Sequence, residues 1–171
     1  VALSKDGEYL FSVPTLKNNK DVVLKAVSQN GNALQYASDD LRNDKEVVLA
    51  AISNNPESLE YASKELRNNR EVVLAAVSKN GESLGFVSKE LQSDIEIVLT
   101  ALSQKGYALN YASKELKNNI EIVLAAVNNN PKSLQYASED LTNNREIVLA
   151  AVKQDGKALD FVFKELQSDM E

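Results

Sequence analysis

A strict repeat of 25 residues constrains this chain more than any other feature of its sequence. The segment from Glu46 to Arg70, EVVLAAISNNPESLEYASKELRNNR, has a counterpart at each 25-residue step. Six full units, without insertion or deletion, follow a partial N-terminal unit at 1–20; they span 21–45, 46–70, 71–95, 96–120, 121–145 and 146–170. Because each unit of such an array packs on its neighbours, the sequence predicts one continuous repeat domain over 1–171.

The apolar motif VVLAAV predicts the first helix of each unit. In the second unit, Val47, Val48, Ala51 and Ile52 form one apolar arc on a helical wheel, and Leu49 widens it. The spacing of Asn or Ser and an acid three residues later resembles a capping box, with the cap at Asn43, Asn68, Ser93 and Asn118.

A second helix is predicted to begin at the eleventh position, where Pro56 and Pro131 alternate with glycine. A position that accepts Pro has φ near −65°, so these glycines are not expected in the left-handed region. The residue at the tenth position, usually Asn, is expected to cap this helix. In the fourth unit Lys105 stands there and cannot act as a cap. Each unit is therefore a helical hairpin with Leu59, Ala62 and Leu66 inside. The prediction is all-α: a right-handed α-solenoid of stacked two-helix hairpins, its handedness taken from other helical arrays.

Composition excludes several classes of function. The 171 residues include no Cys and no His, which removes Ser-His-Asp triads, thiolate chemistry and His metal ligands. A net charge of −6 argues against nucleic acid, and no apolar run is long enough to cross a membrane. We expect no enzyme activity, no catalytic or metal-binding residues, no cofactor, and a cytoplasmic location.

Two rows of carboxylates are the most site-like feature. The first row begins the first helices, and the second lies near the C-terminal end of each predicted second helix. The rows are Asp21, Glu46, Glu71, Glu96, Glu121, Glu146, and Asp40, Glu65, Glu90, Glu115, Asp140, Glu165. Paired carboxylates serve acid–base catalysis or hold calcium. The favoured interpretation is structural, with the second row partly buried and accepting hydrogen bonds at a neighbouring helix start.

An aromatic row offers a further candidate surface. Its members are Tyr36, Tyr61, Phe86, Tyr111, Tyr136 and Phe161. Such rings can stack on bases or grip peptides, but filling the seam between hairpins is the favoured interpretation.

The exposed strip of the first helix is the predicted partner-binding groove. Small residues framed by carboxylates would make a smooth acidic surface that suits a protein or a basic, extended peptide. Its residues are Glu46, Ala50, Ser53, Glu71, Ala75, Ser78, Glu96, Thr100, Ser103, Glu121, Ala125 and Asn128. The alternatives are the variable face of the second helix and no specific groove at all.

The sequence also has a longer period of three 25-residue units. The second and fifth units share NNP at 54–56 and 129–131, and the third and sixth share KELQSD. Recent duplication is the favoured explanation, and a partner that repeats every three units is the alternative.

Phe163 and Met170 form apolar surface at the end, so we expect a monomer or weak end-to-end association.

The pattern EVVLAAV-x-x-N-G-x-x-L-x-YAS-x-E-L resembles a tandem-repeat family, domain of unknown function 4116, over residues 21–170. The resemblance implies a helical repeat segment and supplies no reaction or ligand.

The leading functional hypothesis is a non-catalytic protein–protein interaction scaffold. The alternatives are a spacer without a ligand of its own and, more remotely, a carboxylate-only enzyme or calcium binder.

Overall fold

The first helix of each repeat forms where the apolar motif predicts it. The computed structural model describes residues 14–162. Within them the motif lies on six α-helices: α1 (Lys20–Gln29), α2 (Lys45–Asn54), α3 (Arg70–Val77), α4 (Ile95–Gln104), α5 (Ile120–Asn129) and α6 (Arg145–Gln154). In α2, Val47, Val48, Ala51 and Ile52 are buried as predicted, and Leu49 is half-buried.

A 3₁₀-helix of six residues follows each first helix. These helices are Gly31–Tyr36, Pro56–Tyr61, Gly81–Phe86, Gly106–Tyr111, Pro131–Tyr136 and Gly156–Phe161. The residue between the two helices serves both. Asn55 ends α2 by donating its N–H to the Ala51 carbonyl at 2.8 Å, and its Oδ1 accepts the Glu57 N–H at 3.0 Å. The predicted cap and start of this helix are confirmed, and Lys105 makes no side-chain cap.

The predicted ten-residue second helix is wrong, because the chain leaves the helix after the 3₁₀ segment. Ala62 is extended, with φ −69° and ψ 158°. A separate short helical turn follows, at Asp39–Arg42, Leu66–Asn68, Leu91–Ser93, Lys114–Lys117 and Glu139–Thr142. The predicted inner residues Leu59, Ala62 and Leu66 are nevertheless buried. Each of the first five repeats is thus a long helix, a 3₁₀-helix and a short turn, instead of a two-helix hairpin.

The described residues fall into two compact units, which divide between Ser88 and Lys89. The first contains α1–α3 and the second α4–α6, and within each unit successive long helices pack side by side. None of the helices between residues 14 and 162 has the length and apolarity needed to span a membrane. In the leader, Pro14–Leu16 forms a 3₁₀ turn before α1.

Ser63, in the YAS motif, explains why the second helix breaks. Its N–H donates to the Arg42 carbonyl of the preceding repeat at 2.9 Å, and its hydroxyl donates to Asn43 Oδ1 at 2.6 Å. The same oxygen accepts the Leu66 N–H at 3.1 Å and so caps the short turn. Both inter-repeat bonds recur at Ser38, Ser88 and Ser138. An N–H that donates to another repeat is not available to a carbonyl of its own helix, so the helix ends here. The equivalent Ser38 is extended, with φ −63° and ψ 160°.

The same contact corrects the predicted capping box. Asn43 accepts from Ser63 and ends the short turn before it, whereas the cap of α2 is the next residue. Asp44 accepts the N–H groups of Glu46 and Val47 at 3.0 and 3.2 Å. The equivalent caps are Asn19, Asn69, Asp94, Asn119 and Asn144.

A side-chain amide joins the starts of neighbouring 3₁₀-helices. Asn54 Oδ1 accepts the Gly31 N–H at 2.8 Å, and its Nδ2 donates to the Ser28 carbonyl at 3.1 Å. Asn129 makes the equivalent bonds in the second unit, to the Gly106 N–H at 2.6 Å and the Ser103 carbonyl at 3.1 Å. Each amide satisfies one donor and one acceptor of the preceding repeat.

Proline changes what the next repeat has to supply. Pro56 has no N–H, so the repeat after it needs only a donor. Lys79 stands at the Asn54 position there, and its ammonium donates to the Ser53 carbonyl at 3.1 Å. After Pro131 the same position is Gln154, whose Nε2 donates to the Val127 carbonyl oxygen at 3.5 Å. The NNP of the second and fifth repeats therefore has a structural role, since the side chain of its first Asn accepts the N–H of a glycine in the preceding repeat.

Adding one methyl group at Gly31 is expected to destabilise the fold, because a Cβ there would lie 2.5 Å from both the Ala51 carbonyl oxygen and Ser58 Oγ. We expect Gly31→Ala to lower the free energy of unfolding by about 1–3 kcal/mol. Gly156→Ala is the matched control, since its Cβ meets nothing within 4 Å. Chemical denaturation of both variants checks this, and equal effects at the two glycines would contradict it.

Removing the amide of Asn54 would leave the Gly31 N–H buried without an acceptor. We expect Asn54→Ala to cost about 1–3 kcal/mol of unfolding free energy. Lys79→Ala should cost clearly less, because Pro56 presents no N–H to that position. The same denaturation measurement compares the two variants. A loss in Lys79→Ala as large as in Asn54→Ala would contradict the proposed roles of glycine and proline.

Candidate interaction surface

The predicted groove residues lie on the outward side of the first helices. The carboxylates are exposed at Glu46, Glu71, Glu96 and Glu121, as are Ser53, Ser78, Ser103 and Asn128. Ala50, Ala75, Thr100 and Ala125 are half-buried. Between α1 and α2, a shallow depression of about 420 Å³ is lined by Ser28, Ala50, Ser53 and Asn54. Two of the predicted groove residues therefore line an open depression with polar edges.

Ion pairs between repeats neutralise part of the first carboxylate row, which sequence reasoning missed. Lys20 lies 2.8 Å from Glu46 and 2.7 Å from Asp44. Lys45 lies 2.6 Å from Glu71. In both cases the first residue of one long helix reaches the second residue of the next. The spacing of 26 residues between a cation and an acid was the available signal, but it is informative only once adjacent helices are known to be parallel neighbours.

These contacts shift two pKa values in opposite directions. The Lys20 hydrogen bond, followed by the bonds from the Val47 and Glu46 N–H groups, lowers the pKa of Asp44 below its usual 3.8 despite partial burial. Hydrogen bonds to Asp44 and Glu46 raise the pKa of Lys20 above 10.5. Both groups are therefore held in their charged forms at neutral pH.

The second carboxylate row is exposed, so its predicted place at the edge of the buried arc is wrong. Asp40, Glu65, Glu90, Glu115 and Asp140 all face water. They lie at the start of the separate short turns, where a helix dipole favours an anion, instead of at the end of a long helix. At Glu115, hydrogen bonds from its own N–H and from the Ser113 hydroxyl lower the carboxyl pKa. Glu165 lies outside the described residues.

The aromatic row is mostly half-buried. Tyr36, Tyr61, Phe86, Tyr136 and Phe161 are intermediate in exposure, and Tyr111 is 37% exposed. These rings do not form an open stacking platform, although Tyr136 makes an edge-to-face contact with Tyr107 at 5.9 Å.

A second depression, of about 460 Å³, lies beside the short turns of the first unit. Arg42, Lys64 and Arg67 contribute cations to its lining, which also includes Tyr61 and Ser63. Asp39 also lines it and pairs with Arg42. Chemically, this depression favours an anionic group over a cation.

Between residues 14 and 162, no cluster of three or more carboxylates is placed to hold a metal ion. Phe163 and Met170, proposed as apolar end surface, lie outside the described residues.

A family model matches most of the chain. The model for the domain of unknown function (DUF4116) matches residues 2–42, 19–67, 44–92, 69–117 and 119–167. The chain belongs to this family. Three of the DUF4116 matches begin at residues 19, 44 and 69, in steps of one 25-residue repeat, which confirms the resemblance drawn from the sequence. No curated protein and no solved structure matches the chain. DUF4116 carries no assigned activity, so function has to be argued from the surfaces described above.

The lowered pKa of Asp44 predicts a contribution to acid sensitivity. Since the folded-state pKa lies below the usual value, the carboxylate stabilises the fold above pH 3.8 and loses that effect as pH falls through the folded-state pKa. Asp44→Asn keeps a cap of the type found at Asn69. We expect its melting temperature to fall less than that of the native chain between about pH 5 and about pH 2.

The control for this prediction is Lys20→Met, which removes the cation and keeps Asp44. Its acid sensitivity should also be reduced, because the main cause of the lowered pKa is gone. Thermal melts followed by circular dichroism measure both variants. If Asp44→Asn loses as much melting temperature as the native chain over this range, the ion pair does not contribute to acid sensitivity.

Proposed function

We propose that this chain is a non-catalytic scaffold for protein–protein interaction, and that it presents the outward side of its long helices to a protein or peptide. The observation that carries the proposal is the open depression between α1 and α2, lined by Ser28, Ala50, Ser53 and Asn54. Hydroxyl, amide and methyl groups lie together there, and such a surface can accept both main-chain polar groups and small apolar side chains.

The chemistry of the side chains supports a binding role over a catalytic one. The sequence has neither His nor Cys, and the exposed carboxylates lie in rows that begin helices. Repeating surfaces of this kind suit an extended ligand that crosses several repeats. The proposal includes right-handed stacking of the repeats, which rests on analogy with other helical arrays.

Selection from a peptide library tests the proposal with three purified chains. One is the native chain. The second carries Lys at the first-row carboxylates Glu46, Glu71, Glu96 and Glu121. The matched control carries Lys at the exposed second-row carboxylates Glu65, Glu90, Glu115 and Asp140, with the same change in net charge. We expect the native chain and the control to enrich a common basic or extended motif that the first-row variant does not enrich.

The other outcomes count against this surface. A motif enriched by all three chains would move binding to another face. A motif lost only in the second-row control would point to the short turns and the depression around Arg42 and Arg67. If none of the chains enriches a motif, the spacer interpretation replaces the scaffold.

A further inference from the structure

Exposed apolar side chains are concentrated at the start of two adjacent long helices. Between residues 14 and 162, large apolar side chains classed as exposed are Ile95 at 55%, Ile120 at 43%, Leu99 at 39% and Tyr111 at 37%. The first three lie on α4 and α5. Ile95 and Ile120 are the first residues of these helices, and Leu99 lies one turn beyond Ile95. We call Ile95, Leu99 and Ile120 the isoleucine patch.

The first unit provides an internal comparison for this patch. At the positions of Ile95 and Ile120, α1 and α2 begin with Lys20 and Lys45. Those lysines form the inter-repeat ion pairs with Glu46 and Glu71. Leu24 and Leu49, which correspond to Leu99, are half-buried. The first position of the long helix therefore carries a lysine in α1 and α2 and an exposed isoleucine in α4 and α5, whereas α3 and α6 begin with Arg70 and Arg145.

Replacing the cation changes the electrostatics of the neighbouring carboxylates. By repeat equivalence, Ile95 stands where a lysine would pair with Glu121, and Ile120 where one would pair with Glu146. Both carboxylates are exposed, and within 14–162 neither has an ion-pair partner. An apolar patch is therefore bordered by carboxylates whose counter-ion is missing.

This combination defines the chemistry of a partner. Fully burying an isoleucine side chain is favourable by about 1.5–3 kcal/mol, so a partner's aliphatic or aromatic side chain gains by covering the patch. Lys or Arg on either side of that side chain would supply the charge that Glu121 and Glu146 lack, and electrostatic complementarity of this kind adds specificity.

We propose that the isoleucine patch, with Glu121 and Glu146, is a docking site for an amphipathic segment of another protein. The segment has an aliphatic or aromatic stripe flanked by Lys or Arg. This inference rests on the proposed scaffold function and names the location and the partner chemistry within it.

The probe is a synthetic helical peptide with a leucine stripe flanked by lysines. Two control peptides keep one property each: the first has Glu in place of Lys, and the second has Ala in place of Leu. Fluorescence anisotropy measures the dissociation constant of each peptide for the native chain. Only the peptide with both properties is expected to bind well, and its affinity should fall as salt rises. Equal binding of the Glu peptide would overturn the proposal.

Two protein variants test the location. Ile95→Lys with Ile120→Lys copies the lysine pattern of α1 and α2, so the variant should fold with an unchanged melting temperature while its dissociation constant rises about tenfold or more. The reciprocal change, Lys20→Ile with Lys45→Ile, should create a second site and bind a second equivalent of peptide. An unchanged dissociation constant in the Ile→Lys variant would show that the patch is not the docking site.

Self-association is the competing use of the patch. Sedimentation velocity of the native chain and of the Ile→Lys variant decides it, because a native dimer that the variant abolishes would assign the patch to a second copy of this chain. The two proposals also fail separately. A library motif bound equally by the native chain and the Ile→Lys variant would keep the scaffold and reject the patch, whereas an empty selection would reject the scaffold itself.

Discussion

The fold depends on hydrogen bonds between each repeat and the one before it, and Ser63 shows how one residue makes several of them. Its N–H and its hydroxyl both donate to the preceding repeat, while its oxygen caps the short turn that follows. Short helices are marginal by themselves, so contacts of this kind have to supply what helix propensity does not. They also fix the alignment of neighbours, because in each of the four observed pairs the serine lies 20 residues after its asparagine partner.

The choice between glycine and proline at the eleventh position is linked to the residue that follows in the next repeat. Gly31 and Gly106 present an N–H in a buried place, and an asparagine oxygen of the next repeat satisfies it, at Asn54 and Asn129. After Gly81 the same position is Gln104. A proline presents none, so Lys79 or Gln154 can stand at that position and act only as a donor. In these four pairs of neighbouring repeats the two residues match as hydrogen-bond partners, whatever the origin of the three-repeat period by duplication.

The surface is less regular than the core, and that irregularity is where function is expected. All six long helices bury an apolar arc, but the residues that begin them differ: Lys20, Lys45 and Arg70 in the first unit, and Ile95, Ile120 and Arg145 in the second. In the first unit the lysines are used within the fold, as counter-ions of Glu46 and Glu71. An exposed isoleucine contributes nothing comparable within the chain, which is why a partner provides the simplest account of it.

The sequence by itself determined the repeat length, the family, the six long helices with their buried arcs, and the start of the next helix after Asn55. These features follow from local periodicity and from the φ preference of proline, which act within a few residues. Only the tertiary structure decided that the second helix breaks at Ala62, that Asp44 and not Asn43 caps α2, and that the Glu65 row faces water. It also decided which carboxylates are neutralised. The reason is the same in each case: the hydrogen-bond or ion-pair partner lies 20 to 26 residues away, in the neighbouring repeat. The spacing of two residues in the sequence identifies them as hydrogen-bond or ion-pair partners only after the packing of adjacent repeats is known.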